Sequence, residues 1–279
     1  MGQIINGKKI ADGIQEEIRA ITAKLPYKPR LDAILVGNNP ASSVYVSMKQ
    51  KACIKAGFDS KIHMLPSKTT KKKLVQLISK LNLDNKVHGI LLQLPLPSHL
   101  KAFDFLKHLS PLKDVDCLTP YNMGRLFSGY YDFAPCTPLG IIKLIKSTRI
   151  NLDGKHAVVV GRSLLVGKPL SLLLLEENCT VTMCHSHTKN IFDLTKQADI
   201  LVAALGKPLY ISPHAISKKT IIIDVGINRL PNGLLVGDVD FKKVSKKAAW
   251  ITPVPGGVGP MTIAMLLQNT LLAARIQNS

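Results

Sequence analysis

A glycine-punctuated turn between a buried strand and a helix start is suited to holding a phosphate, and residues 158–169, VVVGRSLLVGKP, have that form. Val158-Val159-Val160 reads as the strand and Pro169-Leu170-Ser171-Leu172 as the first helical turn. The N–H groups left free at such a helix start, and its dipole, favour an anion. A second β-rich run, Thr180-Val181-Thr182-Met183-Cys184, completes a β-α-β unit. This arrangement suits a dinucleotide, or a plain tight connection in another α/β protein. The turn departs from the usual Gly-x-Gly-x-x-Gly fingerprint: Ser163 and Val166 occupy the second and third glycine positions, and a glycine follows at Gly167.

Dinucleotide sites that take NAD usually carry an acid at the end of the second strand, where it holds a ribose hydroxyl. Here His185-Ser186-His187-Thr188-Lys189 follows instead, and Arg162 lies within the turn. Hydroxyls, a cation and no repelling carboxylate favour NADP, unless Arg162 is only a solvated loop residue. His185 and His187 share a strand face but have no third ligand nearby, so no metal is expected.

Further chemistry-bearing residues lie upstream. Tyr45 and Lys49, four apart, share a helix face where a ring could stack a planar substrate and an amine manage a proton. Gln93 emerges from an apolar strand at the end where parallel sheets bind ligands. Asp114 and Asp116 sit in a long loop, and either could bind a polar ring or face water.

Periodicity predicts the elements that must position these groups. Ile10, Ile14, Ile18, Ile21 and Leu25 predict a helix over 8–25. Residues 31–36 predict a strand, and Ser42 or Ser43 caps a helix running to residue 56. A strand over 61–64, a lysine-rich helix over 70–81, a buried strand over 89–92 and a helix over 100–109 follow. The stretch 111–138 is long and rich in turn formers, marking it as a functional loop. A helix over 138–146 leads to Asn151-Leu152-Asp153-Gly154, a boundary signal. Strands over 200–203 and 220–225 and a final helix from Met261 complete the reading. Strands alternating with helices imply an α/β fold with mostly parallel sheets.

Composition narrows the class. With 279 residues and 46% hydrophobic content the chain can bury the cores of one large or two medium domains. No run is apolar enough to span a membrane and no signal-peptide pattern opens the chain, so a soluble cytoplasmic protein is expected. The five cysteines form no C-x-x-C pair, and most read as small buried apolar residues. The net charge of +19 invites a nucleic-acid partner, but the lysines are scattered and aromatics reach only 5%, which argues against base stacking. No nucleic-acid function is expected.

Taken in order, Tyr45-x-x-x-Lys49, Leu92-Gln93-Leu94-Pro95-Leu96-Pro97, Lys113-Asp114-Val115-Asp116, Pro135-Cys136-Thr137-Pro138, the Gly161–Gly167 turn, Asp224-Val225-Gly226-Ile227-Asn228 and residues 252–262 (TPVPGGVGPMT) form a series. That series closely resembles the bifunctional methylenetetrahydrofolate dehydrogenase/methenyltetrahydrofolate cyclohydrolase family (FolD type) across nearly the whole chain. The resemblance implies an N-terminal α/β catalytic domain (1–145), a Rossmann-like NADP-binding domain (146–260), a cleft between them, and a C-terminal helix (261–279) packing back on the first domain. It implies NADP-dependent oxidation of 5,10-methylenetetrahydrofolate followed by hydrolysis to 10-formyltetrahydrofolate. By the same resemblance Tyr45 stacks on the substrate, Lys49 is the acid/base, Gln93 supports it, and Asp116 anchors the pterin. Pro255, Gly256 and Gly257 line the cleft, while Gly161, Arg162, Ser163, Ser186 and Ile227 contact NADP. A homodimer and a polyglutamylated folate substrate are the partners implied. One departure stands out: Cys117 follows Lys-Asp-Val-Asp where the family usually has glycine, which leaves the backbone geometry there open.

Overall fold

Runs of β-branched residues alternate with helical repeats along most of the chain, and the computed structural model, which describes residues 2–279, shows the elements they form. In chain order these are β1 (Gln3–Ile4), α1 (Gly7–Thr22), β2 (Arg30–Val36), α2 (Pro40–Lys55), β3 (Asp59–Leu65), α3 (Lys71–Leu83) and β4 (Gly89–Leu92). Next come α4 (Phe103–Leu106), α5 (Pro120–Phe127), α6 (Cys136–Ser147), β5 (His156–Val160), α7 (Gly167–Glu176), β6 (Thr180–Cys184) and α8 (Ile191–Lys196). The remainder are β7 (Ile200–Ala203), β8 (Ile221–Asp224), β9 (Asn228–Arg229), β10 (Leu235–Val236), α9 (Phe241–Val244), β11 (Trp250–Ile251) and α10 (Val258–Asn278).

The residues divide into two compact units. One comprises the residues up to Asp12 with Thr137–Thr262; the other comprises Gly13–Cys136 with Ile263–Ser279. The first holds a six-stranded sheet in the order β1-β11-β8-β7-β5-β6, in which every neighbouring pair is parallel. Its central strands β7 and β8 are buried along their whole length, as expected where helices cover both faces of a parallel sheet. From β5 the chain steps outward to β6 and returns to β7 on the other side. The carboxyl ends of β5 and β7 therefore form a topological switch point, where such sheets bind ligands.

The second unit holds a three-stranded parallel sheet, β3-β2-β4. Ile34, Ile90 and Leu92 from its strands pack with Leu74 and Ile78 of α3 and with Phe105. Asp32 is fully buried within β2, yet its carboxylate accepts from Arg30 Nε at 2.8 Å and lies 2.7 Å from His63 Nε2. A buried charge is tolerated when it is paired in this way.

Several elements differ from their sequence readings. The second helix starts at Pro40 rather than at Ser42 or Ser43, because Asn39 Oδ1 accepts from Ser42 N and proline fits the first helical turn. The helix expected over 100–109 shortens to α4; Asn82 captures His108 O and Ser110 N, groups that a longer helix would use. The loop 111–138 encloses α5, started by a Thr119 cap with Pro120 at its first position, and α6 begins at Cys136. The strand–strand pairs β1–β11 and β9–β10 were not read at all. Residues up to Asp12 group with the six-stranded unit rather than with residues 13–136, because Gln3 and Ile4 pair with Trp250 and Ile251.

Candidate active site

The C-terminal end of β4 positions the first group. Gln93 N donates to Ile34 O at 2.9 Å, prolonging the β2–β4 ladder by one residue and aiming the side chain beyond the sheet. Its Nε2 donates to Leu94 O at 2.6 Å, so Oε1 is the atom left to accept, and Lys49 Nζ donates to it at 3.1 Å. Tyr45 lies one turn earlier on α2, with 37% of its surface exposed, so the ring is open to a ligand. The i,i+4 pairing read from sequence thus carries an amine held by an oriented amide beside an accessible aromatic ring.

The loop after β4 is built from buried polar contacts. Asp114 is 1% exposed and accepts from Leu118 N at 3.0 Å, Thr119 N at 2.8 Å and Asn122 Nδ2 at 2.9 Å. Burial pushes its carboxyl up from the usual range, against the pull of those donors. Asp114 is therefore the loop's structural acid, while Asp116 two residues on is only half-buried. Gly89 lets this loop settle on β4, since a Cβ there would lie 2.9 Å from Val115 Cγ1.

Cys136, read from sequence as a buried apolar residue and as part of the Pro135-Cys136-Thr137-Pro138 run, joins the group. Its thiol is pushed well up, first by burial and then by the charge of the adjacent Asp116, while Lys49 pulls the other way. Those influences place Lys49, Asp116 and Cys136 in one neighbourhood. Sγ of Cys136 donates to Val115 O at 3.3 Å, and Asn269 Nδ2 donates to Val115 O at 2.8 Å and to Ala134 O at 2.9 Å. Asn269 was not singled out from sequence. The only sign would have been a polar residue inside an apolar helix. Cys117 keeps a left-handed φ of 56° with its side chain fully buried and its Sγ donating to Phe133 O at 3.2 Å. Its glycine-like backbone geometry is therefore retained.

The six-stranded unit gathers the residues read as dinucleotide contacts at the carboxyl ends of its strands. Gly161 follows β5 directly, at φ 134°, where a side chain would overlap Ala204 O. Gly167 starts α7 so close beneath Gly161 O that no side chain fits, which is the packing role of the fingerprint's last glycine. Ser163 Oγ accepts from Val166 N at 3.2 Å, leaving its own proton available to a ligand. Arg162 and Ser186 are exposed beyond β5 and β6, and Ile227 is 47% exposed beyond β8. His185 Nδ1 accepts from His187 N at 3.2 Å. Pro255, Gly256 and Gly257 also belong to this unit, between β11 and α10, with Gly256 O accepting from Lys8 N at 2.9 Å. The site residues read from sequence thus fall into two sets, Tyr45, Lys49, Gln93 and Asp116 in one unit and the rest in the other.

Comparison with known proteins decides the family. Residues 5–116 match the catalytic domain of tetrahydrofolate dehydrogenase/cyclohydrolase, and residues 135–278 match its NAD(P)-binding domain. The chain belongs to the tetrahydrofolate dehydrogenase/cyclohydrolase family. A relative from Acetivibrio thermocellus named Bifunctional protein FolD is 51% identical over 278 residues, covering 99% of this chain and 98% of the relative. The crystal structure of the FolD methylenetetrahydrofolate dehydrogenase/cyclohydrolase from Campylobacter jejuni matches with a TM-score of 0.97 at 45% identity, covering 99% of each chain. The Trypanosoma brucei FolD, complexed with NADP and an inhibitor, matches at 0.94 and 36% identity, covering 99% of this chain and 98% of its own. In this tetrahydrofolate dehydrogenase/cyclohydrolase, the Lys49–Gln93 pair lies inside the stretch matched as catalytic, and the Gly161 turn lies inside the NAD(P)-binding stretch.

Proposed function

We infer that this enzyme oxidises 5,10-methylenetetrahydrofolate to 5,10-methenyltetrahydrofolate with NADP and then hydrolyses that product to 10-formyltetrahydrofolate. The reading rests on the Lys49 Nζ–Gln93 Oε1 contact of 3.1 Å near Asp116, in a chain that matches both domains of the family.

In the proposed mechanism Tyr45 stacks on the planar part of the folate and Asp116 accepts N–H groups of the pterin. Gln93, oriented by its bond to Leu94 O, holds the Lys49 amine in one direction. Water adds to the one-carbon bridge of the methenyl compound, and Lys49 takes a proton from that water as the C–O bond forms. The bridge hydroxyl then releases its proton to solvent as its C=O forms and the bond to N5 breaks; N5 receives a proton from Lys49, and the formyl group remains on N10. Cys136, held as a neutral thiol by burial, does not compete as a nucleophile. Pro255, Gly256 and Gly257 are proposed to contact the substrate.

The residues around the β5–α7 turn fit NADP. The Gly161 backbone and the start of α7 receive the pyrophosphate, and Ser163 offers a free hydroxyl proton. Arg162 and Ser186 suit a 2′-phosphate, with no carboxylate in the loop between β6 and α8 to repel it. Ile227 completes this set. When bound, the dinucleotide accepts the hydride that leaves the one-carbon bridge.

Following methenyl absorbance and NADPH together tests both steps. Lys49→Met is expected to lower hydrolysis by about a hundredfold or more. Full cyclohydrolase activity in that variant would remove Lys49 from its role, and equal rates with NAD and NADP would remove the cofactor preference. We further propose a cytoplasmic homodimer acting on polyglutamylated folates. Among the described residues no helix is long and apolar enough to cross a membrane. Analytical ultracentrifugation measures the assembly, and a monomer at micromolar concentration counts against the dimer.

A further inference from the structure

Two buried carboxylates in the six-stranded unit take no part in the chemistry above. Asp224 ends β8, is 2% exposed, and accepts from Gly226 N at 3.1 Å, Asp238 N at 2.9 Å and Val239 N at 3.0 Å. Asp238, fully buried after β10, uses Oδ2 to accept from Leu205 N at 2.6 Å and Gly206 N at 2.9 Å. Its Oδ1 accepts from Asn228 Nδ2 at 2.9 Å. The two acids interlock: a side chain at Gly226 would overlap the Asp238 carboxylate, and one at Gly237 would overlap that of Asp224. The runs Asp224-Val225-Gly226 and Gly237-Asp238-Val239 are therefore one device, with each glycine making room for the other run's acid.

We propose that Asp238, seated on Asp224, is a positioning residue for the nicotinamide half of NADP. Asp238 ties together two loops at the carboxyl ends of adjacent strands. Leu205 and Gly206 follow β7, next to Ala204, whose carbonyl abuts Gly161. Asn228 follows β8 and adjoins Ile227, whose Cδ1 lies 4.0 Å from the point a Gly259 Cβ would occupy. In a sheet that reverses at β5, the end of β6 takes the adenosine side and the ends of β7 and β8 take the opposite side. Asp238 uses its buried side-chain oxygens to fix the two loops on that opposite side before any ligand arrives, by accepting from the Leu205 and Gly206 N–H groups and from Asn228. The proposal rests on reading this unit as the NADP site.

Asp238→Ala and Asp238→Asn separate these ideas. Alanine removes all three acceptor contacts. Asparagine can still accept from Leu205 N and Gly206 N, and Asn228 can turn its amide over to meet the new NH2 group. The alanine variant is expected to raise KM for NADP about tenfold or more, with the asparagine variant within about threefold of the parent. Binding of 2′,5′-ADP, which contains only the adenosine side, and hydrolysis of methenyltetrahydrofolate without dinucleotide are expected to stay unchanged. Unchanged KM for NADP in a folded Asp238→Ala protein overturns the proposal, as does equal weakening of 2′,5′-ADP. If the alanine variant does not fold, Asn228→Ala removes one arm alone, and an unaltered KM for NADP there overturns it equally. The unaltered enzyme is titrated first: no binding of 2′,5′-ADP at all would refute the cofactor reading itself.

Discussion

Cys117 holds its backbone at φ 56° although it has a side chain. An L-residue in that region costs about 1–2 kcal/mol, which is offset by burying the sulfur and by the bond to Phe133 O. Restoring glycine relieves the strain but empties the pocket, so Cys117→Gly is expected to shift unfolding free energy by no more than about 1 kcal/mol. Cys117→Val adds a branch at a fully buried left-handed position and should cost about 3 kcal/mol. Urea melts measure both, and a valine variant as stable as the parent would show that the loop is not held left-handed. Asp224 makes a second prediction. Burial pushes its carboxyl from 3.8 up to about 7. Between those values the folded chain keeps a proton that the unfolded chain has released, so this contribution is full below the lower value and is lost as pH rises through about 7. Asp224→Asn should flatten the slope of stability against pH in that window, and parallel slopes for both proteins would contradict this.

Among the elements, α10 does more than close the fold, because Asn269 ties the two segments that flank Asp116 and Cys136. Asn269→Leu leaves Ala134 O without this donor and Val115 O with the Cys136 thiol alone, and should cost about 1–3 kcal/mol while raising KM for the folate. A variant that loses stability with no change in folate KM would mean the brace serves the core alone. The elements carrying the clearest chemistry were legible: β5 and α7 stand out because an all-apolar strand meets a glycine turn, and α2 because Tyr45 and Lys49 repeat at helical spacing. The pairs β1–β11 and β9–β10 were not legible, since two residues carry no periodicity. Pro120 and Gly124 disguised α5 as loop, although proline fits a first helical turn. The roles of Asn269, Cys136 and Asp238 stayed hidden for a different reason. They act through backbone groups remote in sequence, 154 positions away for Asn269 and Val115, and only folding brings these together.

For the whole molecule, we propose that the charge of +19 bears on substrate capture rather than on the fold. Lys71, Lys72 and Lys73 are exposed at the start of α3, typical of a solvated face. A field of this sign should favour folates with long γ-glutamyl tails, and salt should raise their KM more than that of the monoglutamate. Initial rates at two ionic strengths test this, and identical salt responses for both substrates would remove charge from the account. The pairing of Gln3 and Ile4 with Trp250 and Ile251 has its own consequence. On the ribosome β1 must wait, without this partner, until β11 emerges more than two hundred residues later. That edge of the sheet stays open until β11 has been made, and a tag fused directly ahead of Gln3 would burden a strand held by a single neighbour.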